Sequence, residues 1–373
     1  MTERANERVY NFAPGPATLP ASVLEQAQQD LVTLPGLGIS PLEISHRSPW
    51  FLEVIEEAAT TIAGLLDVPP THRVVFCQGG ATQQFSMVPM NLSLGPDHPP
   101  EYVVTGSWGS KAAAEALRLG PAAVAWSGAD RGFTRLPEPA ERHLSPGAAF
   151  LHVTSNETIE GVQWPQLPAA PDGVPLVVDA SSDFLSRPLG VGELGLLYAG
   201  AQKNAGPAGV TIAIVREDLL ERVPAGVPTM LDYRTYVEHG SLFNTPPVFA
   251  IYVVMLVTRW LRDEVGGLAE QDRRNRVKAS LLYDTIDDSD GFYSGHAEPG
   301  ARSIVNVTFR LPSDQLDARF VAEATGLGLA ELKGHRSVGG IRASIYNAMP
   351  IEGVEALAGF MRRFVSANSS TSD

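Results

Sequence analysis

Between residues 73 and 215 the chain alternates short apolar runs with helical patterns, and nothing else in it constrains the fold as strongly. The runs are RVVFC (73–77), EYVVT (101–105), AFLHVT (149–154), PLVVDA (175–180), LLYAGA (196–201) and VTIAIV (210–215). Helical patterns at 82–93 and 108–119 separate the early ones. Short runs that are apolar throughout, with helices between them, predict an α/β fold with a mainly parallel sheet covered on both faces. Such sheets bind ligands outside the carboxyl ends of their strands. Polar residues just past each run are therefore where chemistry is expected.

Ser48-Pro49 reads as an N-cap with proline at N1, opening a helix through Val54, Ile55, Ala58, Ile62 and Leu65. A helix from about 248 to 265 stops at Gly266-Gly267. Beyond it the pattern changes to helix 268–286, strand 304–310, helix 314–325, strand 340–345 and a last helix at about 351–365. This second part predicts a smaller α+β domain, joined by the N-terminal segment NFAPGPATLP. The expected division is 16–265 for the large domain, and 1–15 plus 266–373 for the small one. A chain of 373 residues suits two domains.

A net charge of −14 argues against a nucleic-acid binder, which needs a basic face. The longest apolar run, Val248 to Val257, falls short of the ~20 residues that span a membrane, so no membrane segment is expected. MTERANERVY carries no signal-peptide pattern. Cys77 is the single cysteine, which excludes an intramolecular disulfide and a cysteine-based zinc cluster and fits a cytoplasmic location. The histidines and carboxylates show no metal-ligand spacing, so no metal is expected. Gly190-Val191-Gly192-Glu193-Leu194-Gly195 matches the dinucleotide fingerprint but leads into a strand rather than a helix, and is read as a connection.

Three strand ends carry chemistry. After RVVFC comes Gln78-Gly79-Gly80-Ala81-Thr82-Gln83, a glycine turn into a helix whose amides favour a phosphate; ordinary strand–helix turns look the same. Asp179 ends an apolar strand, where a carboxylate needs a partner, either an N-capped turn or a cationic ligand. Lys203, one of four lysines, follows another strand among glycines and alanines, small neighbours that leave room for a ligand. A lysine for an aldehyde, an acid for a pyridine nitrogen and an anion site for a phosphate are what pyridoxal 5′-phosphate (PLP) requires. Trp108, after EYVVT, is placed either to stack on such a ring or to join the core.

The chain also resembles the phosphoserine aminotransferase family, class V members of the fold-type I PLP-dependent transferases. The resemblance runs from about Asn11 to Phe360 and rests on NFAPGPATLP, EISHRS, NETIEGVQW, YAGAQKNAGPAGVTI, GSLFNTPPVFA and LKGHRSVGGIRASIYNAM. It implies that Lys203 bonds the cofactor aldehyde, Asp179 faces the pyridine nitrogen, Trp108 stacks on the ring and Thr158 lies near its phenolic oxygen. It implies that Ala81, Thr82 and Gln202 hold the phosphate, with Asn244 and Thr245 reaching it from the other subunit of a homodimer with shared active sites. Thr82 departs from relatives that carry arginine there. The resemblance further implies that Arg342 holds the substrate α-carboxylate, and that His46, Arg47, His335 and Arg336 bind a distal phosphate, the second pair coming from the partner subunit. Glutamate and 3-phosphohydroxypyruvate are the implied substrates, with 4-phosphohydroxy-threonine as a related one. Glyoxylate aminotransferases of the same fold and a non-catalytic phosphate-metabolite sensor are the alternatives. A cysteine desulfurase is a poor one, because Cys77 ends a strand.

Overall fold

The computed structural model describes residues 8–368. Seven strands form the main sheet: β1 His72–Gln78, β2 Glu101–Val104, β3 Ala123–Ser127, β4 Leu151–Thr154, β5 Leu176–Asp179, β6 Leu196–Gly200 and β7 Val210–Arg216. Their order across the sheet is β1-β7-β6-β5-β4-β2-β3. The sheet is parallel except at β7, which runs antiparallel to both β1 and β6. Strand β3, AVAWS, was not among the expected runs. It lies at the sheet edge and is only partly buried, so it carries no continuous apolar signal.

Successive side chains of a strand point to opposite faces, and both faces are covered. Leu197, Ala199, Ile212 and Ile214 pack with Phe51, Ile62 and Ile251 of the helices Pro49–Leu65 and Val248–Trp260. Leu196, Tyr198, Ala213 and Val215 pack with Phe85 and Ala112 of the helices Gln84–Leu92 and Ser107–Leu119 on the other side. Ser48 caps the first of these helices by accepting from Phe51 N at 3.2 Å, with Pro49 at its start. The helix Val248–Trp260 passes into a π turn, Leu261–Val265, that Gly266 ends at φ +90° and Gly267 follows at +97°. Glycine is the residue that adopts such angles without strain.

A second core surrounds a three-stranded antiparallel sheet of Ser294–Gly295, Asn306–Arg310 and Ile341–Ser344. The helices Leu268–Asp287, Asp314–Gly326 and Ile351–Asn368 contribute to it, with Phe320 at the centre, its ring 4.8 Å from Phe360 and 5.2 Å from Phe364. Tyr10–Asn11 pairs in parallel with Leu329–Ala330, and Phe12 is buried in the same core. The chain then runs through Pro14 and Gly15 toward Lys203. Residues 190–195 form one short turn, Val191–Glu193, before β6 and open no helix.

Candidate active site

Lys203 lies in the turn that follows β6. Ala201 N donates to Val210 O, and Gly206 N returns to Ala201 O at 2.8 Å, folding the turn tightly. A side chain at Gly206 would meet Val254 Cγ2 at 2.8 Å, so the small residues here let the turn close onto the helix Val248–Trp260. The expectation that they leave room for a ligand is corrected at this position. Gly15 approaches from the other side, where a Cβ would meet Lys203 Cγ at 3.3 Å.

The Lys203 amine is buried and donates to Thr158 Oγ1 at 2.6 Å. Burial lowers its pKa from 10.5 to about 8; Asp179 and Glu157 oppose this, and Arg342 adds to it. Asp179, at the end of β5, accepts through Oδ1 from Ser181 N at 2.9 Å and from Ser181 Oγ at 2.6 Å. Burial nonetheless pushes its pKa above the usual carboxylate range. A buried carboxylate in that condition favours a cation beside it. The Trp108 ring centroid is 5.7 Å from Lys203 Nζ, and the indole N–H is buried with no hydrogen-bond partner among the described residues.

One recess is lined by Ala81, Thr82, Trp108, Thr158, Asp179, Gln202 and Lys203. The strand ends of β1, β2, β4, β5 and β6 converge there, as a mainly parallel sheet dictates. Gly79 turns at φ +87°, and a 3₁₀ turn at Ala81–Gln83 precedes the helix expected from 82.

The cations lie beside this recess. Ile341, Ala343 and Ile345 enter the second core, and Arg342 points the other way, buried, with its Nε unpartnered. His335 is held below its usual pKa by burial and by the charges of Arg342, Lys111 and Arg336 of the same chain. The charge of its own chain's Arg342 thus reaches His335. His46, Arg47, Asn244 and Thr245 do not line the recess of their own chain. Gln78 Nε2 donates to Asn244 Oδ1 at 3.0 Å and to Thr245 O at 2.9 Å, while the buried His46 Nε2 has no partner among the described residues.

The profile described as Aminotransferase class-V matches residues 9–357. The chain belongs to the class-V aminotransferases. Among curated class-V relatives, the phosphoserine aminotransferase of Rhodopirellula baltica is 53% identical over 363 residues, covering 97% of this chain and 96% of that one. That of Geobacillus kaustophilus is 51% identical, covering 96% and 98%. The solved phosphoserine aminotransferase from Bacillus circulans subsp. alkalophilus superposes with a TM-score of 0.93 at 50% identity, over 97% of this chain and 99% of that one. The PLP-bound phosphoserine aminotransferase from Trichomonas vaginalis gives 0.89 at 38% identity, over 95% and 100%. The fold is thus that of the PLP-dependent aminotransferases of fold-type I. An alanine–glyoxylate aminotransferase from Nostoc, 18% identical with a TM-score of 0.77, shares the fold.

Sequence reasoning passed over four residues of this class-V site. Lys111 Nζ lies 4.1 Å from the Trp108 ring centroid; its place three residues on, on the same helix face, was the available signal. Ser181 follows Asp179 by two, the spacing of a local side-chain to backbone turn. Glu157 and Glu160 stand inside NETIEGVQW and are both buried, and burial raises the pKa of each. Two acids in an otherwise buried segment were legible; their target was not. Cys77 is fully buried, and its thiol is pushed up to about 12, so it supplies no nucleophile. Among the described residues no group of acids, histidines and cysteine could hold a metal, and no helix is long and apolar enough to cross a membrane.

Proposed function

We propose that this class-V aminotransferase catalyses reversible amino transfer from glutamate to 3-phosphohydroxypyruvate, giving O-phospho-L-serine and 2-oxoglutarate, with PLP as cofactor. The observation that carries the reading is the buried Lys203 amine, bonded to Thr158 in a recess that also holds Asp179 and Trp108. The residues fit PLP. The amine's pKa is lowered to about 8, burial raises that of the Asp179 carboxyl although the Lys203 charge opposes it, and the indole N–H has no hydrogen-bond partner among the described residues. PLP, when bound, supplies an electrophilic aldehyde and a ring that accepts electron density.

The chain's own residues do the remaining work. Lys203 Nζ, neutral enough to be nucleophilic, would take the proton from the substrate α-carbon and pass it to the carbon of the cofactor's former aldehyde rather than back, with Thr158 orienting the amine. Asp179 supplies a buried negative charge for a protonated ring nitrogen. Ala81, Thr82 and Gln202 offer donors to the cofactor phosphate. Arg342, in no ion pair among the described residues, presents its guanidinium fork to the substrate α-carboxylate. His335 and Arg336 take the distal phosphate or the glutamate side chain, both compact oxyanions. His46, Arg47, Asn244 and Thr245 complete the site of a second copy, which makes the enzyme a homodimer with shared active sites. The lone buried cysteine and the bacterial curated relatives support a cytoplasmic setting. 4-Phosphohydroxy-threonine, with the same phosphate and amino-acid ends, is a related substrate.

The test is a panel of half-reactions on the PLP-loaded protein with phosphoserine, alanine and serine, followed by the cofactor's visible absorption. Preference for phosphoserine is expected. Equal rates with all three would refute the phosphate pocket. A wild-type protein that stays colourless with added PLP would refute the cofactor site.

A further inference from the structure

Glu157 and Glu160 bury their carboxyl groups at the start of the helix Ser107–Leu119. Glu157 Oε2 accepts from Trp108 N at 2.9 Å, and its Oε1 accepts from Gly109 N at 2.9 Å. Glu160 Oε1 accepts from Ser107 N at 3.1 Å. Three successive amides that a helix leaves unpaired thus end on carboxyl oxygens, where the helix dipole favours negative charge. The fit is tight. A Cβ at Gly106 would lie 2.5 Å from both Cγ and Cδ of Glu157 and 2.7 Å from Glu160 Oε2. The residue after Glu157 is Thr158, which accepts from the Lys203 amine. One short strand, Asn156–Glu157, therefore leads the chain from the contact that holds the Trp108 backbone to the contact that holds Lys203.

We propose that Glu157 is a positioning residue for the cofactor: its carboxyl fork fixes the Trp108 backbone against Thr158, so that the indole keeps its place relative to the Lys203 amine. The proposal rests on the reading of the recess as a PLP site. The fork engages two neighbouring amides at once, which sets direction as well as distance. Glutamine in its place has the same shape but offers an NH₂ to one of the two amides, turning an acceptor into a donor facing a donor. The first helical turn then loosens and the indole loses its fixed orientation.

The experiment uses Glu157→Gln, Trp108→Phe and their combination in the full chain. It reads PLP dissociation constants, melting temperature and amide hydrogen exchange at residues 107–109 of the cofactor-free protein. Glu157→Gln should raise the PLP dissociation constant about tenfold, yet change it little in the Trp108→Phe background, because Glu157 acts through the indole. Exchange at Trp108 and Gly109 should accelerate in Glu157→Gln and stay slow in Trp108→Phe. Equal, additive effects in both backgrounds, or unchanged exchange at both amides, would overturn the proposal. A wild-type protein that binds no PLP sinks the cofactor reading instead, and the exchange comparison then decides the positioning alone. Glu157→Asp, whose carboxylate stops one methylene short of the amides, serves as the second variant if Glu157→Gln does not fold, and should show the same pattern.

Discussion

The Lys203 amine should titrate near pH 8 in the cofactor-free protein, against 10.5 for an ordinary lysine. At pH 8 that leaves about half of it neutral rather than about 0.3%, a gain of about 150-fold in nucleophile. The difference corresponds to about 3.4 kcal/mol favouring the neutral form. Burial is the main cause, and charges on either side adjust it in opposite senses. Asp179→Asn removes a charge that holds the proton on, so the midpoint should fall. Arg342→Gln removes a charge that drives it off, so the midpoint should rise. A neighbouring charge at an effective dielectric of about 20 is worth about 1–4 kcal/mol, so each shift should be about one to three pH units. The assay is the pH dependence of amine labelling in the PLP-free protein, with the Lys203 peptide read by mass spectrometry. A wild-type midpoint near 10.5, or two variants that move in the same direction, would refute the reasoning. The linkage has a definite sign. The unfolded chain binds the proton more tightly between about pH 8 and 10.5, so Lys203 lowers stability below pH 8 and that penalty is relieved as pH rises through the window.

Lys203→Ala should abolish transamination while leaving the folded protein at least as stable at pH 7, since a buried amine is removed; normal turnover in steady-state assays would overturn its role. Arg336→Gln should raise KM for 3-phosphohydroxypyruvate about tenfold and for glutamate less, because a phosphate carries more charge to a cation than a carboxylate does. Cys77, with its thiol pushed up to about 12, should resist thiol reagents in the folded protein, and Cys77→Ser should keep its activity; rapid labelling under native conditions would contradict the burial. Phe320→Ala, at the centre of the second core, should cost about 3–5 kcal/mol in denaturant unfolding.

The central sheet was legible because buried strands are apolar on both faces, and each of the six expected runs became a strand. The antiparallel direction of β7 was not, since nothing in VTIAIV distinguishes one direction from the other. Edge strand β3 was missed for lack of burial. Lys203 and Asp179 could be picked out because a charged residue at the end of an apolar strand is costly and demands a reason. Glu157 and Glu160 were not assigned, because their partners are amides distant in sequence; Lys111 stands only three residues from Trp108, but that spacing does not say that the ammonium meets the ring face. His335 is the sharpest case: its pairing with Arg336 was visible, but the charges of Arg342 and Lys111 that lower its pKa come from other segments of the chain.

The sequence by itself determined that a mainly parallel sheet forms and that one lysine and one aspartate stand at its strand ends, because local apolar patterning and the cost of buried charge act residue by residue. The tertiary structure decided how close those groups stand and what lowers the lysine. It also decided which cations share the recess and which carboxylates hold the tryptophan. Those outcomes depend on side chains brought together from segments tens to hundreds of residues apart, and only packing sets such distances.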